Sequence, residues 1–316
     1  MENNSNAYAS TVRSATVGGM QPLADLHRHL DGSLREGTLR ELAAARGIAV
    51  PDDVRFHAGM GLGAALERFR ITVAVLQDPL ALRRVASEAC DDAARSGVTT
   101  LELRFAPQLH GDIGDAIDAV LEGVDRRAGV IVCALYGESP ASVEALARAA
   151  AARDGVVGID LAGGPSSAPS WQPGDYAPAF RLAGEFGLGR TVHAGEGRPP
   201  HEIRVAIEQL GAQRIGHGTT LLDDRAVLEL VLDRQVTIEA CPTSNLHTGV
   251  IASLDQHPIA RWAALGVNVC VCTDNTLFSD IDSIEEHARV RSLPGMTDAL
   301  FDRVVAQGHA AAFRRG

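Results

Sequence analysis

Short β-rich runs alternate with helical periodicity along most of the chain, and this alternation restricts the fold more than any other feature. The runs are Leu23–Leu26, Thr99–Phe105, Val130–Leu135, Val156–Leu161, Arg190–Val192, Arg214–Gly216, Val236–Ala240 and Val267–Cys272. The stretches between them carry amphipathic spacing and proper stops. Asp78-Pro79 opens a helix with Leu82, Val85, Ala86, Ala89 and Ala93 at three- and four-residue steps, and Gly97 ends it. Pro200 opens another, with Ile203, Ala206, Ile207 and Leu210 on one stripe and Gly211 as the stop; a third carries Val227, Leu228 and Val231. Strands alternating with helices imply right-handed βαβ units and a parallel sheet. Eight such units in about 250 residues predict a single (β/α)8 TIM barrel. An open doubly wound sheet is the alternative, weakened because no G-x-G-x-x-G follows the first strand.

Roughly 70 residues separate the first two strands, too many for one helix, so extra helices are expected as an insertion after the first strand, above the active-site face. Gly59, Gly61 and Gly63, followed by Leu66, Phe69, Val73 and Leu76, mark where they fall. Residues 1–20 are polar and small and read as a flexible N-terminal tail, leaving 21–316 as one domain.

The 316 residues are 46% hydrophobic and 22% charged, enough apolar material for a large core, and the formal net charge is -11. That charge repels a phosphate backbone and argues against nucleic acid as a partner; a neutral small molecule is indifferent to it. No apolar window reaches the length of about 20 residues that a membrane span needs, and no signal-peptide core opens the chain, so the expected location is cytoplasmic. The five cysteines, Cys90, Cys133, Cys241, Cys270 and Cys272, lack metal-ligand spacing with histidine and read as reduced structural thiols. There is no lysine at all. Schiff-base and phosphate-loop lysines, and carbamylated-lysine metal bridges, are therefore excluded.

In a parallel barrel, chemistry gathers at the C-terminal ends of the strands. The first run continues into His27-Arg28-His29, and i and i+2 side chains of a strand share a face, so the two histidines can hold one metal. The fifth run ends at His193-Ala194-Gly195-Glu196, the sixth at His217 and the eighth at Thr273-Asp274-Asn275. Each alone has a plainer reading, as a core histidine or a helix N-cap; all on one rim make a site. Three imidazoles and a carboxylate leave one zinc position open, where water is activated as a nucleophile. His217 is left to orient that water. Glu196, three residues past His193, is placed as a general acid, and the combination means hydrolysis at an electrophilic carbon.

These stretches resemble the motifs of one known family. Leu26-His27-Arg28-His29-Leu30-Asp31-Gly32-Ser33 is similar to the opening motif of adenosine deaminases, His193-Ala194-Gly195-Glu196 to their H-A-G-E, Arg214-Ile215-Gly216-His217-Gly218 to their R-I/L-G-H-G, and Thr273-Asp274-Asn275 to their T-D-D. Supporting matches are Gly158–Gly163, Leu101–Pro107 and Cys241-Pro242-Thr243-Ser244-Asn245, and the likeness runs from about residue 22 to 312. The resemblance implies one zinc ion per chain on His27, His29, His193 and Asp274. It implies that Glu196 protonates purine N1 while His217 and Asp274 hold the attacking hydroxide at C6. Gly163 would offer its N–H to N3, and Asp31 would meet the ribose 5′-hydroxyl. The implied substrate is a purine nucleoside, adenosine or 2′-deoxyadenosine.

The sequence departs from that pattern at several points. Asn275 stands where many members have a second Asp; its amide NH2 donates to purine N7 at any pH, where an Asp must first be protonated. Gly164-Pro165 replaces an acidic pair, and Leu135-Tyr136-Gly137-Glu138 replaces a common Arg-His. Both changes leave the non-purine part of the substrate open, with aminodeoxyfutalosine, a modified adenosine or adenine as alternatives. Arg198 is a candidate partner for an anionic substituent or a solvated loop residue. The terminal helix is expected to be short or missing, which would weaken stability or reflect a dimer contact, so homo-oligomer formation stays open. An amide hydrolase or phosphotriesterase is a rival reaction type, although many of these need the bridging lysine this chain lacks. The signature of the nucleic-acid zinc deaminases is also absent. A non-catalytic binding homologue is the remaining reading, and the presence of Glu196 and His217 counts against it.

Overall fold

Eight strands hydrogen-bond in chain order in a computed structural model that describes residues 21–164 and 170–313. They are β1 (Leu23–His29), β2 (Val98–Phe105), β3 (Gly129–Leu135), β4 (Val156–Ala162), β5 (Gly189–Ala194), β6 (Arg214–His217), β7 (Thr237–Ala240) and β8 (Asn268–Val271). All seven neighbouring pairs are parallel. The ring is closed at the rim, where Arg28 and Asp274 form a parallel bridge; His29 N donates to Asp274 O at 2.8 Å and Asp274 N to His27 O at 2.8 Å. These two bonds seat metal-ligand candidates of β1 directly against the extension of β8.

The (β/α)8 expectation holds, and the strand bounds move by a few residues. β1 runs on to His29 because its polar histidines keep the extended backbone that pairs with β2. The helix after Asp78 spans Pro79–Arg95, with Asp78 accepting from Leu80 N at 2.9 Å and Leu82, Val85, Ala86, Ala89 and Ala93 buried. The helix after Pro200 begins one residue later than its proline, at His201–Glu208. Two helices, Glu36–Arg46 and Leu62–Val75, fill the long insertion after β1 before the helix leading into β2. One large apolar cluster lies between strands and helices, from Leu23 and Leu103 through Ile159 and Ile215 to Val304.

The terminal helix read as short or missing would follow Phe313, and residues 314–316 lie outside the described residues. Asp298–Ala310 is a 13-residue helix, and its Phe301, Val304 and Val305 are buried against the barrel. Gly308 lets it lie close to β1 and β8, since a Cβ there would come within 3.0 Å of Ala24 Cβ. The tail read over residues 1–20 and Pro165 lie outside the described residues. No described helix is long and apolar enough to cross a membrane.

Candidate active site

The C-terminal ends of β1, β5, β6 and β8 bring His27, His29, His193, His217 and Asp274 to one point. His29 Nε2 lies 3.2 Å from His193 Nε2, and Asp274 Oδ1 lies 3.5 Å from His29 Nε2 and 3.7 Å from His27 Nε2. The His27 ring is 4.5 Å from that of His193 and 5.0 Å from that of His217, centroid to centroid. Among the described residues, three overlapping sets of ligand atoms converge within 4.8 Å: His27 with His193 and His217, His27 with His29 and Asp274, and His217 with Cys241 and Asp274.

Two of these side chains adopt backbone conformations that L-residues rarely hold. His217, the last residue of β6, has φ 68°, and Asp274, just beyond β8, has φ 62°, both in the left-handed region. Such positions cost of order 1–3 kcal/mol when strained and persist where packing and hydrogen bonds over-determine them. Here the strain turns both side chains inward over the barrel axis.

Buried carboxylates fix two of the imidazoles from beneath. Glu239 Oε2 accepts from His27 Nδ1 at 2.7 Å, and both oxygens of Asp160 lie within 3.2 Å of His193 Nδ1. Arg104 spans the pair, donating to Asp160 at 2.8 Å and to Glu239 at 2.9 Å. With Nδ1 protonated in each ring, the Nε2 atoms carry the lone pairs and face one another. His27 Nε2 is buried and has no hydrogen-bond partner. Burial, and then the Arg104 charge, hold His27 far below the usual histidine range, so it stays neutral. The 3.2 Å between His29 Nε2 and His193 Nε2 matches neighbouring ligands on a tetrahedral zinc with bonds of about 2.0–2.1 Å. The orphaned His27 nitrogen, the converging imidazoles and the carboxylate beside them fit a single divalent ion.

Glu196 stands on the other side of the cluster. Its Oε1 accepts from Thr248 Oγ1 at 3.1 Å and from Asn245 Nδ2 at 3.4 Å, while Oε2 faces His217 Nε2 at 3.8 Å. Burial raises its pKa above the ordinary glutamate value, with His193 and Thr248 opposing. Asn245 Nδ2 also lies 3.1 Å from His217 Nδ1, and Asn245 Oδ1 is 3.2 Å from His257 Nε2. His257 donates to the amide oxygen and the amide donates to Nδ1, which leaves the His217 proton on Nε2. Burial pushes His217 down to about 4, so this donor is neutral at ordinary pH.

The cluster forms the floor of a cavity of about 310 Å³. Asp31, Gly163 and Asn275 also line it, with His29, His193, Glu196, His217 and Asp274, while His27 is fully buried and does not line it. Asp31 Oδ1 is buried without a partner, and burial lifts its carboxyl to about 7. Gly32 gives Asn275 its place, because a Cβ there would fall 2.0 Å from Asn275 Oδ1. The outer wall is apolar: Phe56, Leu62, Leu66, Phe69, Leu109 and Leu135. Arg198 stays behind the wall, over the Tyr136 ring at 4.9 Å, paired with Glu202 at 2.8 Å and donating to His193 O at 3.2 Å.

Asn245, Thr248, Glu239 and Arg104 went unassigned from the sequence. Asn245 sits in the Cys241–Asn245 motif, whose likeness was visible while its place under Glu196 was not. All five cysteines are free and buried. Cys241 nevertheless reaches the cluster, which its sequence spacing does not show; burial keeps its thiol protonated, a poor ligand.

The adenosine deaminase family model matches residues 22–315. An adenosine deaminase of Serratia proteamaculans is 35% identical, the alignment covering 92% of this chain and 94% of that protein. One from Mycolicibacterium vanbaalenii is 36% identical over 92% and 90%. Among solved structures, an adenine deaminase from Arthrobacter aurescens superposes with TM-score 0.83 at 25% identity, over 93% of this chain and 94% of that one. An Arabidopsis N6-mAMP deaminase gives 0.82 at 25% identity, over 93% of each.

Proposed function

The chain belongs to the adenosine deaminase family, hydrolases of C–N bonds, and from that premise we propose that it converts a neutral 6-aminopurine nucleoside, adenosine or 2′-deoxyadenosine, to the 6-oxopurine and ammonia. The observation that carries this reading is Glu196: one carboxyl oxygen is anchored by Thr248 and Asn245, and the other faces the histidine cluster.

His27, His29, His193 and Asp274 would hold one zinc ion. When bound, zinc supplies a Lewis acid that brings the ionisation of water toward neutral pH. The remaining work falls to side chains of this chain. Glu196, whose protonated form burial favours, gives its proton to purine N1 as the oxygen of water bonds to C6. His217 donates through Nε2–H to that oxygen, and Asp274 accepts from it. The C6–N bond then breaks and the C6 carbonyl forms; of the two protons of water, one passes through Asp274 to the leaving amine and the other returns to Glu196. Asn275 and the Gly163 N–H would serve N7 and N3, and Asp31 a ribose hydroxyl.

The apolar wall favours a nucleoside over a nucleotide. No arginine lines the cavity among the described residues, and Arg198 is already paired with Glu202. A phosphate there would be buried uncompensated in a chain of net charge -11. The test is a screen of 6-aminopurines with zinc-replete protein, followed by loss of absorbance at the adenine maximum. Adenosine and 2′-deoxyadenosine are expected to turn over far faster than AMP or adenine. Turnover of AMP above adenosine, or no turnover of any 6-aminopurine, would overturn the reading.

A further inference from the structure

A chain of buried ionic contacts runs down the barrel interior from the metal-ligand end to the opposite mouth. At the top, Glu239 grips His27 Nδ1 at 2.7 Å through Oε2. Its other oxygen, Oε1, accepts from Thr191 Oγ1 at 3.0 Å and pairs with Arg214 Nε at 2.8 Å. Arg214, at the start of β6, is 1% exposed and reaches down to Glu102 at 2.5 Å. Glu102 ends the path by accepting the backbone N–H of Phe313 at 2.6 Å.

The segment Ala311–Phe313 occupies that lower mouth. Arg214 Nη1 donates to Ala311 O at 3.0 Å, and its guanidinium carbon lies 3.6 Å from the centroid of the Phe313 ring. The seat is made for the ring. A Cβ on Gly189 would fall 2.2 Å from Phe313 Cγ, and one on Gly158 would fall 2.8 Å from Phe313 Cδ2. Two glycines at the starts of β4 and β5 thus leave room for one aromatic side chain. It covers the guanidinium face that would otherwise meet water.

We propose that Phe313 is a positioning residue for metal binding: by sealing the lower mouth and stacking on Arg214, it holds Glu239, and through Glu239 the His27 ring, in register for zinc. The inference rests on the metal reading above. Its physical basis is that Arg214 contributes to Glu239 orientation only while desolvated and fixed; exposed to water, an ion pair weakens and gains freedom. Direct partners of ligand histidines change metal affinity by about 10–100-fold when mutated. Phe313 acts two contacts further out, so a smaller effect of roughly 3–10-fold is expected.

The test compares zinc dissociation constants, from competition with a chromophoric chelator, for wild type, Phe313→Ala, Phe313→Leu and Phe313→Tyr. Melting of the metal-free proteins is recorded in parallel. The proposal predicts weaker zinc binding by roughly 3–10-fold in Phe313→Ala, little recovery in Phe313→Leu, which fills space without a π face, and recovery in Phe313→Tyr. Equal zinc affinity in wild type and Phe313→Leu, whatever the melting temperatures do, overturns it; if Phe313→Ala fails to fold, Phe313→Leu against Phe313→Tyr decides alone. A wild-type chain that binds no zinc overturns the metal reading and this inference together.

Discussion

At the scale of single residues, the site separates two kinds of work. Glu239, Asp160 and Arg104 are fully buried charges, and burying charge is not by itself a route to stability. What they accomplish is to set the Nδ1 protons of His27 and His193 and so leave both Nε2 atoms free. Glu196 is different, because its own proton is the reagent. Glu196→Gln keeps the shape and the contacts to Thr248 and Asn245 but removes the transferable proton. It is expected to lower kcat by about 10²–10⁴-fold with zinc content unchanged. The sign of the pH effect follows from the raised Glu196 value: protonated Glu196 is the active form, so wild-type kcat falls as pH rises through it. A variant that keeps this basic limb at full rate would remove Glu196 from the mechanism. The histidines, Glu196 and Asp274 were legible because barrel strands deliver polar residues to their C-terminal ends. Asn245, Thr248 and Glu239 were not. Asn245 and Thr248 meet Glu196 across 49 and 52 residues of sequence, and a Glu inside a short strand has no pattern that marks it as buried.

At the scale of elements, the two periods of the chain carried most of the fold. Leu82, Val85, Ala86, Ala89 and Ala93 predicted a buried stripe, and all five lie buried on the helix Pro79–Arg95. The limits of β1 and β8 were less legible, since their ends are set by the bridge between Arg28 and Asp274 rather than by apolar residues. Capping is testable on its own. Asp78 satisfies the Leu80 N–H at the head of a 17-residue helix and does not line the cavity. Asp78→Ala is expected to cost about 1 kcal/mol of unfolding free energy, measured by urea denaturation, with kcat unchanged. A loss of activity at unchanged stability would contradict that separation.

At the scale of the whole molecule, the barrel joins segments that lie far apart in sequence. His27 and His29 come from the first strand, His193 from the fifth and Asp274 from the end of the eighth. One ion on these four residues would tie the beginning of the barrel to its end, beside the two backbone hydrogen bonds that already close the ring. The insertion helix Leu62–Val75 lies above them and contributes Leu62, Ala65, Leu66, Phe69 and Val73 to the cavity wall. Fold, metal and substrate pocket thus depend on one placement of four side chains. Anomalous diffraction at the zinc edge from crystals of the zinc-loaded protein measures that placement directly. A single peak bounded by His27 Nε2, His29 Nε2, His193 Nε2 and Asp274, with Glu196 beside it and unligated, is the predicted result. A peak elsewhere in the molecule, or Glu196 acting as a ligand in place of one of the four, would contradict it.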